Sequence, residues 1–286
     1  TPDGPADAAT RTVRDEGTRR RHPPRPPTDE SERAPGSIAV LDVRGRGATF
    51  GHWMIDALPN LWLLERAGFP PDAIDVLLVP ARTPWVLASL EAAGIAAGRI
   101  VAADDGGGFD VGRLLLPVRP VGSRRVPWWT VRGLTLDGRT AIAPDPDRPA
   151  AIYVRRGSAG RRGVADEDRV VAHLATRGIV AVDPGDADVV EQRRRFAAAD
   201  LVVAAHGAAL SALAWCRPGA TLVELMPTAR PNALFLHLAH QAGVRYAVLP
   251  CRPADGSGGG HGDVVVDLDA LDGVLVAIGG REGDGT

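Results

Sequence analysis

The chain alternates short apolar runs with helical segments, and this alternation restricts its possible folds more than any other feature. Runs rich in valine, isoleucine and leucine are typical of buried strands, and the segments between them carry apolar residues at helical spacing. In the first part we expect strands at 38–43, 76–80 and 113–118, with helices at 50–68 and 83–94. Pro59 should kink or interrupt the first of these helices. Such alternation favours a parallel sheet with helices on its faces.

The second part repeats the pattern more regularly. We expect strands at 151–154, 179–182, 201–205, 221–225 and 246–250, helices at 166–178, 187–199, 207–215 and 232–243, and a closing strand and helix after 263. Between the two parts, IAPDPDRPA (142–150) contains three prolines, which is typical of a linker. We therefore predict an α/β fold with two Rossmann-like domains, 37–145 and 146–286, facing each other across a cleft where a ligand binds.

Composition excludes several classes of protein. Residues 1–36 are rich in proline, arginine and acidic residues and are predicted to form a disordered or extended tail. The net charge of -2 argues against a protein that coats nucleic acid or an anionic membrane. All 33 basic residues are arginine, which excludes a lysine nucleophile. With two cysteines and no long apolar run, we expect a cytoplasmic protein without a disulfide scaffold or a membrane span.

The stretch LVVAAHGAAL (201–210) is the most informative about function. An apolar strand runs into His206 and Gly207, and a helix of small residues is expected to begin at once. Helix N-termini present free N–H groups and a positive dipole end, which bind phosphate, and Gly207 and Ala208 would let a diphosphate approach the backbone. His206 could bond a phosphate or a sugar. The alternative is a tight turn with a histidine that is hydrogen-bonded within the protein.

Charged residues near the other strands extend this hypothesis. Glu224 lies within an apolar strand, so it must be paired; it would either accept hydrogen bonds from ribose hydroxyls or form an ion pair with an arginine. After the first strand of the second part, YVRRGSAGRRG (153–163) supplies four arginines, including Arg155 and Arg162. Guanidinium groups suit phosphate oxygens, and we expect one or two of the four to reach the cleft.

In the first part, His52 and Asp56 are four residues apart on a helix and therefore share a face. They would be a base with its orienting partner, half of a metal site, or a hydrogen-bonded pair without a catalytic role. No HExxH pattern supports a metal. The pair Trp128–Trp129 would either stack against an acceptor or pack between helix and sheet.

These segments occur in an order that resembles glycosyltransferase family 61. The resemblance spans roughly 50–250 and rests on the ordered set of motifs more than on any single one. The motifs are His52-Trp53…Asp56…Pro59, Arg155, Arg162…Asp166-Glu167, Glu191-Gln192, His206-Gly207-Ala208…Leu210 and Pro218-Gly219-Ala220…Glu224-Leu225…Pro227. The chain departs from the family pattern at Val154, where serine is usual, at Asp166, where asparagine is usual, and at Gly185-Asp186.

The resemblance implies a bacterial enzyme of GT-B architecture that takes part in polysaccharide biosynthesis. It would transfer a sugar, with inversion, from a UDP-sugar to a hydroxyl of a glycan or a small-molecule acceptor. Asp56 or His52 would be the base. Arg155, Arg162 and the helix start at Gly207 and Ala208 would hold the diphosphate next to His206, and Glu224 the ribose. No cofactor or metal would be essential, since arginine and the helix dipole neutralise the phosphates; homodimerisation is left open.

Two other functions remain to be distinguished. A Rossmann-type epimerase or dehydrogenase needs a G-x-G-x-x-G turn after its first strand, and Gly45, Gly47 and Gly51 have the wrong spacing. A non-catalytic protein that binds nucleotide sugars or glycans would keep the fold and lose the chemistry. The departures from the family pattern fit this alternative, whereas the presence of both His52 and Asp56 favours activity.

Overall fold

A computed structural model describes residues 32–41, 49–103, 109–117, 126–156, 163–254 and 262–279. It shows a mixed α/β protein with two sheets. Most of the predicted tail, and Arg162, lie outside the described residues. Within the described ranges, no helix is both long and apolar enough to cross a bilayer.

The first sheet has four parallel strands in the order β3-β2-β1-β4. Its strands are β1 (Glu32–Val40), β2 (Val76–Val79), β3 (Ile100–Ala102) and β4 (Phe109–Leu115). β1 begins earlier than the expected start of order at 37, because its first residues pair with β4 from Phe109 onward. The short β3 was not predicted, since three residues carry too little of the alternation that marks a strand.

The first helical segment is interrupted at Pro59, as predicted. One α-helical turn, α1 (Phe50–His52), widens into a π-helical stretch, Trp53–Ala57, and a straight helix resumes as α2 (Asn60–Arg66). The proline ring would clash with the carbonyl four residues earlier in a regular helix, and the wider turn avoids that clash. The following helices are α3 (Pro84–Ala92), with Thr83 as its N-cap, and α4 (Thr130–Thr135).

The second sheet has the order β10-β9-β8-β7-β5-β6 and is parallel except for β10. Its strands are β5 (Ala151–Val154), β6 (Val180–Val182), β7 (Leu201–Ala205), β8 (Thr221–Pro227), β9 (Arg245–Pro253) and β10 (Val264–Val265). The chain moves outward from β5 to β6 and then crosses back to β7 on the other side of β5. The strand order therefore reverses between β5 and β7.

Helices cover both faces of the second sheet. One face packs against α5 (Glu167–Ala175) and α8 (Leu268–Gly279), and the other against α6 (Val189–Ala198) and α7 (Leu234–Ala242). On this second face, apolar side chains from both parts of the chain form one continuous core that includes Leu77 of β2, Val202 of β7, and the helical residues Leu61 and Phe235. Residues 141–150 form neither helix nor strand, and the domain boundary predicted there stays a prediction.

The helix predicted at 207–215 is a 3₁₀ helix, Ala208–Trp215. Leu210, Leu213 and Cys216 are three residues apart in this segment. In a helix with three residues per turn they fall on one line, and all three are buried in the core. Bonds from Leu210 N to Gly207 O and from Cys216 N to Leu213 O begin and end the segment.

Candidate functional site

A cleft of about 450 Å³ lies at the carboxyl ends of β5, β6 and β7. Arg155 and Arg156 follow β5, Asp183 follows β6, and Gly207 follows β7, and all four line the cleft. The strand order reverses between β5 and β7 at this point. In open α/β sheets, ligands bind outside the carboxyl ends of the strands where the order reverses, so the cleft is placed as a binding site would be.

The opposite wall of the cleft comes from the first part of the chain. Phe50, Pro84, Trp85 and Ala88 line it, and the rings of Phe50 and Trp85 meet edge to face with centroids 5.7 Å apart. Sequence reasoning did not select these residues. This wall is apolar, whereas the side formed by β5 carries guanidinium groups.

Gly207 and Ala208 form the floor of the cleft, at the start of the 3₁₀ helix. A Cβ on Gly207 would lie 1.8 Å from Nη1 of Arg156, so any larger residue would displace that guanidinium group. On the other side, a Cβ on Gly51 would lie 3.1 Å from the Cβ of Ala208. The start of the first helix and the His206-Gly207-Ala208 segment, which are far apart in sequence, are therefore in contact.

His206 and Glu224 form a buried pair behind this floor. Nδ1 of His206 lies 2.5 Å from Oε1 of Glu224, and the hydroxyl of Tyr246 donates to Oε2 of Glu224 over 2.7 Å. Glu224 is fully buried and does not line the cleft. Both carboxylate oxygens have a partner within the protein, and the predicted contact between Glu224 and a ribose stays a prediction. The alternative, an ion pair with an arginine, does not fit this geometry, since the partners are His206 and Tyr246.

The two arginines at the end of β5 have different surroundings. Arg155 lines the cleft, but its Nη2 lies 2.7 Å from Oδ1 of Asp168 and its Nε 3.5 Å from Oε2 of Glu167. The hydrogen bond with Asp168, followed by the charge of Glu167, raises the pKa of Arg155. Arg156 instead extends its guanidinium group over Gly207. Of the two arginines in the YVRR run, Arg156 is therefore the one whose guanidinium group reaches Gly207.

His52 and Asp56 form the predicted pair on one helix face. Nδ1 of His52 lies 2.6 Å from Oδ2 of Asp56, and Asp56 is 5% exposed while the His52 side chain is 35% exposed. Nδ2 of Asn60 donates to the backbone carbonyl of Asp56 over 3.0 Å. The cleft is lined by Phe50, two residues before His52, so the pair lies beside the cleft rather than in its lining. In the described ranges, no three His, Cys, Asp or Glu side chains are grouped as a metal site would require.

The loop after β6 is held by the Glu191-Gln192 motif, to which sequence reasoning gave no role. Nε2 of Gln192 donates to the carbonyls of Pro184 and Ala187 over 3.0 and 3.2 Å, which fixes the part of the loop that lines the cleft. Glu191 accepts from both terminal nitrogens of Arg148, over 2.5 and 3.0 Å. The motif therefore connects the segment before β5 with one wall of the cleft.

The two neighbouring tryptophans have different environments. Trp129 is 6% exposed and stacks on Trp62 of α2 with ring centroids 6.2 Å apart, so it packs inside the protein, against a helix. Trp128 is 69% exposed and meets Trp62 edge to face. An acceptor-stacking role stays a prediction for Trp128 alone.

Comparison with protein families gives one match. The model of the family described as Glycosyltransferase 61 matches residues 50–223, which is more than half of the chain. The matched range contains the His52–Asp56 pair, the arginines after β5 and the His206-Gly207-Ala208 segment, but it ends before Glu224 and Tyr246. No curated protein matches the chain.

Proposed function

The chain belongs to glycosyltransferase family 61 and is therefore a glycosyltransferase, and we propose that it transfers a sugar from a UDP-sugar to an acceptor hydroxyl, with inversion. The two sheets would be the cores of two Rossmann-like domains in a GT-B arrangement, the first beginning with β1 at Glu32. The cleft at the carboxyl ends of β5, β6 and β7 would hold the donor. The acceptor, a glycan in polysaccharide biosynthesis or a small molecule, would enter from the side of His52.

One observation carries this proposal: the guanidinium group of Arg156 lies over the backbone of Gly207 at the point where the strand order reverses. A diphosphate placed there would meet a cation from one side. From the other side it would meet the N–H groups at the start of the 3₁₀ helix, which have no partner within that helix. Both interactions strengthen as negative charge develops on the departing UDP. Because the arginine supplies this charge, we expect transfer to continue when divalent metals are chelated.

The His52–Asp56 pair would supply the base. Asp56 is buried and close to Nδ1 of His52, whereas the imidazole extends toward the surface. This geometry suits a division of roles in which Asp56 orients the ring and His52 takes the proton from the acceptor hydroxyl. The deprotonated hydroxyl would then attack the anomeric carbon of the donor sugar from the face opposite the UDP, which inverts the configuration.

A binding experiment tests the proposed donor site. A ligand that binds only the native state raises the melting temperature by mass action, so UDP should stabilise the chain more than UMP, which lacks the second phosphate. GDP and ADP serve as matched controls for the base. If none of these nucleotides changes the melting temperature, the proposed site is wrong; if GDP or ADP stabilises more than UDP, the choice of donor nucleotide is wrong.

A further inference from the structure

Three polar side chains form a row across neighbouring strands of the second sheet. His206 follows β7, Glu224 lies in β8 and Tyr246 lies in β9. Glu224 is 0% exposed, and its two oxygens contact Nδ1 of His206 at 2.5 Å and the Tyr246 hydroxyl at 2.7 Å. Glu224 therefore lies at the centre of the row, and the rings of His206 and Tyr246 lie at its two ends.

The chemistry of the buried carboxylate determines which nitrogen of His206 carries a proton. A carboxylate oxygen accepts hydrogen bonds, so the contact with Glu224 is a hydrogen bond when Nδ1 of His206 carries the ring proton. Burial of a carboxylate is unfavourable unless donors surround it, and the Tyr246 hydroxyl is the second donor on Glu224. Burial, together with the charge of Glu224, raises the pKa of Tyr246, which keeps the hydroxyl protonated.

The other nitrogen of the ring is left for a ligand. Nε2 of His206 makes no hydrogen bond within the described part of the chain, and it is not one of the fully buried polar atoms there that lack a partner. The ring packs against Phe235 with centroids 5.0 Å apart. His206 is 7% exposed and is not among the residues that line the cleft, but both of its neighbours, Ala205 and Gly207, line it. With the proton on Nδ1, Nε2 of the neutral ring carries a lone pair and accepts a hydrogen bond.

We propose that Tyr246 is a positioning residue that acts through Glu224 to hold the proton on Nδ1 of His206, so that Nε2 accepts a hydrogen bond from a hydroxyl group of the donor. This inference rests on the proposed function, and it assigns His206 to a hydroxyl rather than to a phosphate. The hydroxyl belongs either to the ribose or to the transferred sugar. Glu224, which was expected to bind the ribose itself, would then act on the ligand only through His206.

The first test identifies the tautomer of His206 directly. ¹⁵N spectra of the imidazole rings, with the His206 signals identified from a His206→Gln variant, show which nitrogen carries the proton in the neutral ring. We expect the proton on Nδ1 in the wild-type protein. In Tyr246→Phe, Glu224 loses the donor that holds its second oxygen and is no longer fixed against Nδ1, so a population of His206 with the proton on Nε2 should appear. A wild-type ring protonated on Nε2, or a tautomer that is unchanged in Tyr246→Phe, would overturn the inference.

The second test measures affinity by calorimetry with UDP, UDP-xylose and inorganic pyrophosphate. Tyr246→Phe should lower the affinity for a hydroxyl-bearing ligand roughly tenfold and leave the affinity for pyrophosphate unchanged. A loss already seen with UDP assigns the contact to the ribose, and a loss confined to UDP-xylose assigns it to the sugar. An equal loss for pyrophosphate, or no loss at all, contradicts the proposal.

Controls separate this inference from the proposed function. Thr228→Val removes a different side-chain hydrogen bond between the ends of β8 and β9, from the Thr228 hydroxyl to the Cys251 carbonyl, and should change neither the tautomer nor the affinities. If wild-type protein binds none of the three ligands, the proposed donor site fails while the tautomer remains testable. If Tyr246→Phe does not fold, the tautomer of His206 in the wild-type protein still tests the inference, because a proton on Nε2 overturns it.

Discussion

The guanidinium group of Arg156 lies over the Cα of Gly207, so close that a Cβ on that residue would be 1.8 Å from Nη1. The backbone of Gly207 is extended, with φ at -173°, a conformation that any residue adopts. The glycine is therefore required by the proximity of the arginine and not by its backbone angles. This contact joins the end of β5 to the end of β7 and defines the centre of the proposed donor site.

Enlarging Gly207 should disrupt this centre. In Gly207→Val the new side chain displaces the Arg156 guanidinium group, and we expect UDP affinity to fall roughly 10- to 100-fold, as for the loss of a charge-assisted hydrogen bond. Calorimetry measures the change. Gly273→Ala is the matched control, because a Cβ there meets no atom within 4 Å, and it should leave UDP affinity unchanged while slightly stabilising α8. UDP affinity equal to wild type in Gly207→Val would refute the placement of the diphosphate.

Replacing Arg155 and replacing Arg156 should change UDP affinity by different amounts. Arg156→Ala should reduce UDP affinity roughly 10-fold or more, because it removes the cation over Gly207. Arg155→Ala should reduce it less, since the guanidinium group of Arg155 is directed to Asp168 and Glu167 rather than to Gly207. Arg169→Ala, which removes an exposed arginine on α5, serves as the control in the same titrations. A larger loss in Arg155→Ala than in Arg156→Ala would reverse the assignment.

The His52–Asp56 pair should affect transfer without affecting donor binding. We expect His52→Gln and Asp56→Asn each to lower the transfer rate by roughly 10²- to 10⁴-fold, the usual contribution of a positioned base, with UDP affinity near wild type. Rates from a transfer assay and affinities from calorimetry are compared for the same preparations. His237→Gln, an exposed histidine on α7, should change neither quantity. Full transfer activity in both variants would remove the pair from the mechanism.

The Arg148–Glu191 contact should make stability depend on pH. The hydrogen bond from Arg148, and to a lesser extent that from Arg195, lowers the pKa of Glu191 in the folded protein. The contribution of Glu191 to stability is therefore fully present above the unfolded-state value of about 4.3 and is lost as pH falls through the lower folded-state pKa. Glu191→Gln should melt below wild type at pH 7, and the difference should disappear at strongly acidic pH.

The matched control for this experiment is Glu91→Gln, which removes an exposed carboxylate on α3. It should show no comparable difference from wild type at pH 7. If the melting temperatures of Glu191→Gln and wild type differ by the same amount at every pH, the stabilisation does not come from the ionised carboxylate.

The sequence predicted most of the fold because the signals are local. Apolar runs and helical spacing located the strands and helices, and Pro59 marked the interruption of the first helix. The errors arose where the bounds of a strand depend on pairing with residues far away in the sequence. β1 starts at Glu32 because it pairs with β4, and β3 is only three residues long. The three-residue spacing of Leu210, Leu213 and Cys216 would have indicated the 3₁₀ helix.

The site was predicted less completely than the fold. The sequence located the His206-Gly207-Ala208 turn and the His52–Asp56 pair, because both depend on spacing along a single element. It could not show that Glu224 contacts His206 and Tyr246, since those partners lie on neighbouring strands. It could not show that Arg155 contacts Asp168 and Glu167 of α5 while Arg156 reaches Gly207, since these contacts join separate elements.

The most direct test of the account is a crystal structure of the chain with UDP. We predict that the diphosphate lies at the carboxyl ends of β5 and β7, with phosphate oxygens within about 3 Å of the Arg156 guanidinium group and of a backbone N–H at the start of the 3₁₀ helix. UDP bound away from these strand ends, with Arg156 still over Gly207 and making no contact with the ligand, would contradict the central claim.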